Sequence, residues 1–114
     1  MTTTVAIALA VVFLLSGASK VARHPISLVA RDKLAVDPRA WSLLGGAEIA
    51  GAAGVLVGLS VRPLGIAATV GLVIVGLGAI AAHRRAHDAP AEAAPAVVAL
   101  VLATAALVLF STGR

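Results

Sequence analysis

Four long apolar stretches, at about 3–19, 41–60, 64–82 and 95–112, alternate with polar segments along this chain. Each is close to the length of about 20 residues that a helix needs to cross bilayer hydrocarbon. The polar segments between them are "KVARHPISLVARDKLAVDPRA", "VRP" and "HRRAHDAPAEAAP". The alternation predicts a single domain over residues 1–114, an all-α membrane protein built as an antiparallel four-helix transmembrane bundle. The first polar segment has a pattern of its own. Pro25 stands near a helix start, and Ile26, Val29, Ala30 and Leu34 are apolar beside Arg31, Asp32 and Lys33. That reads as a short amphipathic helix lying at the interface in the first loop. Asp37 and Pro38 then start the second span. Trp41 suits a water–lipid boundary and reads as an anchor. "VRPLG" is so tight a connection that the second and third spans must be antiparallel neighbours.

Composition agrees. The chain is 61% hydrophobic and 12% charged, with a mean hydropathy of +1.07; a soluble domain carries about 25% charged residues. The basic residues are unevenly shared. Lys20, Arg23, Arg31, Lys33, Arg39, Arg84 and Arg85 fall on one side of a four-span bundle, and only Arg62 and Arg114 on the other. By the positive-inside rule the long loops are expected in the cytoplasm of a cell with both termini outside the plasma membrane. The same asymmetry explains the pI near 11.3 without nucleic acid, which is not expected as a partner. "MTTT" has no basic residue and Lys20 follows the apolar run, which favours a first membrane helix over a cleaved signal. With no cysteine, disulfides, thiolate metal sites and an intrinsic thiol redox pair are excluded. The scattered His24, His83 and His87 make no metal motif.

Small residues mark where helices can approach. The second span carries Gly46, Ala50, Gly54 and Gly58 at steps of four, a ridge expected to pack a neighbouring helix. The third has Ala67, Gly71, Gly76, Gly78 and Ala79. In the midst of the second span stands Glu48. At 100° per residue it lies about 160° from Gly46 and Ala50. Its own face holds Leu44, Gly45, Gly51, Ala52 and Val55, narrow enough to leave room beside a carboxylate. Glu48 is about 10 Å inward from a helix start at Trp41. A charge at that depth is expected to be paired, protonated or beside water, and an acid inside a membrane is first a functional-site candidate.

Three partners reach the same membrane half. Lys20 ends the first span with Ser16 one turn earlier, and a lysine can snorkel along its helix. His83 ends the third span. Ser16, Lys20, Glu48 and His83 are therefore expected to form one polar cluster, with Ser16, Gly45, Gly51 and Ala52 bordering a bound molecule. A Lys20–Glu48 pair that merely staples two helices is the structural alternative.

"LLSGASKVARHP", "LLGGAEIAGAAGVLVGL" and "GAIAAHRRAHDAPAEAAP", read in order, resemble the DoxX-like family of small bacterial four-helix membrane proteins, the actinobacterial type above all. Gly17 to Lys20, Gly45 with Glu48, and His83 to Arg85 carry the resemblance over nearly the whole chain. It implies a small four-helix membrane protein with ties to redox or thiol systems, and the function expected here is binding of a small lipophilic molecule, quinone or isoprenoid-like, in a cavity beside Glu48 as a component of a redox system. The wider family includes a subunit of a thiosulfate:quinone oxidoreductase. No haem or iron–sulfur ligand set is present, so the cofactor expected is a bound quinone, none being intrinsic. The lipid bilayer, the lipophilic ligand, and a membrane protein or second copy are the partners expected. In this reading Glu48 exchanges a proton, Lys20 tunes the exchange and His83 relays protons to the cytoplasm. Two other chemistries fit the same residues. Glu48 could act as a general acid on a lipid epoxide or alkene without redox chemistry. A small proton-coupled exporter is the other, although one Trp, two Phe and no Tyr make a poor aromatic cage for cationic drugs. A structural subunit of a membrane complex completes the set.

Overall fold

In the computed structural model residues 1–113 are described; Arg114, one of the two basic residues counted on the terminal side, lies outside the described residues. The chain forms α1 (Thr2–Val21), α2 (Pro25–Lys33), α3 (Pro38–Val57), α4 (Arg62–Arg85) and α5 (Pro90–Thr112). All but α2 are apolar helices of 20 to 24 residues, long enough at about 1.5 Å per residue to span about 30 Å of hydrocarbon. Their outward faces carry Leu15, Leu43, Ile74 and Val101, each more than half exposed. Four such girdled helices make an all-α, multi-pass membrane bundle, which a lipid bilayer must surround. The packing runs round a ring, α1 on α3, α3 on α4, α4 on α5 and α5 on α1.

Local sequence sets the helix ends. His24 Nδ1 accepts from the Ile26 amide at 3.2 Å, and Pro25 opens α2. Asp37 accepts from the amides of Arg39 and Ala40, and Pro38 opens α3. The second span therefore starts three residues before Trp41. It ends at Val57 rather than at 60, because Gly58 to Ser60 form the turn into α4. The fourth starts at Pro90 and runs through Pro95, where position 95 was expected to be its beginning. A proline this near the N-terminus removes little of the backbone ladder. Gly113 closes α5 in the left-handed region at φ 73°. Arg62 lies across that end, donating from Nε to the Phe110 carbonyl and from Nη2 to that of Ser111. Thus a basic residue of the terminal side ties α4 to the C-terminus of α5.

The small-residue ridge is only half used. Gly54 and Gly58 meet α4: a Cβ on Gly54 would lie 2.9 Å from the Ala68 Cβ, and one on Gly58 2.3 Å from the Gly65 Cα. Gly46 faces open space, and Ala50 is exposed. The closest approach to α1 lies on the face of Glu48. A Cβ on Gly17 would sit 2.6 Å from the Gly45 carbonyl oxygen, and one on Gly45 2.8 Å from that of Gly17. Trp41, Gly45, Glu48, Ala52 and Val55 form the buried stripe of α3. Of the expected ridge Gly46, Ala50, Gly54 and Gly58, the last two meet α4, and the expectation is corrected for Gly46, which faces open space, and Ala50, which is exposed; α1 packs on the Glu48 face instead.

The bundle is uneven along its axis. Near the chain termini it is solid, with Ala6, Leu9, Ala10, Phe13, Ala52, Val55, Leu72, Ala99, Ala103, Ala106 and Phe110 in one cluster. Toward α2, α1 and α3 stay in contact at Gly17 and Gly45, and a cavity opens beside them. There α2 lies over the bundle end with Ser27 and Leu34 buried, and Ile26 and Val29 exposed.

Candidate functional site

The Gly17–Gly45 contact brings the last turn of α1 against the first half of α3, and so brings Lys20 to Glu48. Lys20 Nζ lies 2.6 Å from Glu48 Oε1 and donates to Ser16 Oγ at 2.6 Å. Ser16 precedes Lys20 by four residues, hence lies on the same helix face. The ammonium also sits 4.9 Å from the centre of the Trp41 ring, within cation–π range. Glu48 is 2% exposed. Its Oε1 is buried and accepts no well-aligned hydrogen bond, despite the short approach of the ammonium. The pair is neutral as a whole, which is how a membrane interior tolerates it.

Beside this pair is a cavity of about 930 Å³. Phe13 closes it toward the solid half; Ser16 and Lys20, Trp41 and Glu48, Ala79 and His83, and Ala96 bring four helices to its wall. Ser27 and Ala30 of α2, and Leu34 just after it, line the far end. The lining is mostly apolar with a few converging polar groups, the character of a small-molecule site.

Ser16, Lys20 and Glu48 come together as expected. His83 lines the same cavity, but its ring belongs to a second network. Nδ1 lies 2.5 Å from Asp88 Oδ2. Lys33, at the end of α2, lies 2.9 Å from Asp88 Oδ1 and also pairs with Glu92 of α5. Lys33 first, and then His83, hold the Asp88 carboxyl below the usual carboxylate range. Gly45, Gly51 and Ala52 do not line the cavity: Gly45 is pressed on α1, Gly51 on Leu72 of α4, and Ala52 is in the core. Their small size lets helices close; it does not clear space for a ligand. Trp41 is 6% exposed and its Nε1 donates to Ser27 Oγ at 2.8 Å. It is a wall of the cavity under α2, not a boundary anchor, because α2 folds over it.

The sequence does not mark Asp88, Glu92 and Ser27 as site residues, and it marks Lys33 only as a basic residue of the first loop. Asp88 follows His83 by five residues around a helix end, a spacing that gives no periodic signal. Lys33 and Glu92 are 59 residues apart and only the tertiary fold joins them. The Trp41 and Asp37–Pro38 pattern fixed the start of α3 but held no sign of the Ser27 contact.

The model of the DoxX-like family matches residues 4–106. No curated protein and no solved structure matches the chain.

Proposed function

The chain belongs to the DoxX-like family, and we propose that it binds a small lipophilic molecule, quinone or isoprenoid-like, in the cavity beside Lys20 and Glu48. The observation that carries this is the juxtaposition of a buried ion pair with a cavity of about 930 Å³, within the size range of sites for small organic molecules. An apolar body would rest against Phe13, Val75 and Ala79. Its oxygen-bearing end would face Lys20, which can donate a hydrogen bond, and Glu48, which can accept one or exchange a proton. His83, on the same wall and bonded to Asp88, offers a path for a proton toward the α2 side. The bundle would sit in the plasma membrane with α2 in the cytoplasm and both termini outside, following the basic residues of the loops. Association with a redox system follows from the family alone and stays secondary to the binding reading.

The structural alternative has one observation in its favour: the pair bridges α1 and α3 where their backbones are closest. Thermal unfolding in detergent with added short-chain quinone or isoprenoid alcohol separates the two readings. Binding predicts that one of these classes raises the melting temperature of the wild type, and does so less for Glu48→Gln. Equal response of both proteins to every ligand would leave the pair a staple only.

A further inference from the structure

Resting on the reading of the cavity as a ligand site, we infer that its ligand is a membrane-dissolved alcohol that reaches Glu48 sideways through a gap between α3 and α4. The gap follows from how these two helices part. From the hairpin inward they are closed by successive contacts, Gly58 on Gly65, Gly54 on Ala68 and Gly51 on Leu72. Continued toward α2, the same faces present Leu44 on α3 and Val75, Ala79 and Ala82 on α4. These side chains line the cavity. Further round α4 the lining includes Ile74 and Gly78. Ile74 is 64% exposed, and a Cβ on Gly78 would meet nothing within 4 Å. Residues that both line the cavity and face outward from a membrane helix mark where it opens to lipid. At the end of the bundle exposed Ile26 of α2 and Pro95 of α5 also line the cavity, and there Lys33 of α2 pairs with Asp88 and Glu92.

The head group follows from the pair. Lys20 and Glu48 neutralise one another, so a charged ligand would bring an uncompensated charge into the membrane. Lys20 Nζ, 2.6 Å from Glu48 Oε1, is a donor only, and the carboxylate is an acceptor only. A hydroxyl satisfies both, donating to Oε1 and accepting from Nζ. A bare carbonyl could only accept, and would leave Oε1 as it is.

The single tryptophan reports on this directly, since Trp41 is buried and lines the cavity. The protein is reconstituted in phosphatidylcholine vesicles and Trp41 fluorescence is titrated with 2-bromododecan-1-ol, whose bromine lies next to the hydroxyl, with 2-bromododecane or with aqueous acrylamide. The bromoalcohol should quench more strongly than the bromoalkane at equal membrane concentration, and acrylamide should quench weakly. Gly78→Phe, placed where a side chain has room, should lower bromoalcohol quenching by half or more. Gly71→Phe, on the same face of α4 and equally open but away from the cavity, should not. Bromoalcohol quenching that Gly78→Phe leaves unchanged, or acrylamide quenching of equal strength, overturns the sideways route while the ligand site stands. Equal quenching by alcohol and alkane overturns the head group. No quenching by either bromo compound in the wild type rejects the cavity as a ligand site altogether.

Discussion

Glu48 and Lys20 set the physics of the site at the level of single residues. Both side chains are largely buried, at 3% and 13% exposure. Removing one charge of such a pair leaves the other without compensation, at a cost of about 3 kcal/mol. Glu48→Gln is therefore expected to lower stability in detergent by about that amount, and Glu48→Gln with Lys20→Met to recover most of it. Ligand stabilisation should be lost in the single and the double variant alike. If the double variant regained it, the pair would act through stability alone. A double-mutant cycle of unfolding, with and without ligand, reads both quantities. The Lys20–Glu48 meeting was legible in the sequence because few polar residues lay in the spans, and topology left Glu48 few companions. The Trp41–Ser27 bond was not. Tryptophan at a helix start is ambiguous until the neighbouring loop is placed, and here α2 covers it.

Among the elements, α3 shows what a small-residue pattern can and cannot tell. Steps of four name a ridge; they do not say which ridge a neighbour selects. Gly17 and Gly45 are in backbone contact while Gly46 faces open space. Gly17→Ala is expected to cost about 1–3 kcal/mol, since the backbone must shift. Gly46→Ala should be neutral or stabilising by up to about 1 kcal/mol. Chemical unfolding of the two variants checks the order, and a larger loss at Gly46 would refute the crossing described. The short helix α2 depends on charges that the sequence did not join. Asp88 has a carboxyl pKa lowered chiefly by Lys33, then by His83, with Glu92 the other acid on Lys33. A depressed carboxyl contributes stability above its unfolded value, near about 3.9. That contribution is lost as the pH falls through the lower folded value. The Lys33–Asp88 latch should then stay closed from neutral pH down to about pH 4 and open below it. Lys33→Met should raise amide exchange across residues 25–33 already at neutral pH and flatten its acid response. Exchange in the variant equal to that of the wild type would remove the latch.

For the whole molecule, the class of fold was plain in the spacing of apolar stretches, and the number of spans with it. The hollow was not. It arises because α3 and α4 close on small residues from Gly58 to Gly51 while α1 stays pressed on α3 at Gly17 and Gly45, a property of several helices at once. Orientation rests on the loops, where Lys20, Arg23, Arg31, Lys33, Arg39, Arg84 and Arg85 gather. Alkaline phosphatase fused after residue 114 should be active and a cytoplasm-dependent reporter silent; the reverse would invert the bundle.

Native mass spectrometry of protein released from its own membrane shows whether the cavity beside Glu48 holds a lipophilic molecule. Wild-type protein is compared with Ala79→Phe, which places a ring in the cavity. One added mass of a hydrophobic compound is expected on the wild type and none on a folded Ala79→Phe. The same bound species on both, or only bulk lipids in equal proportion, would contradict it.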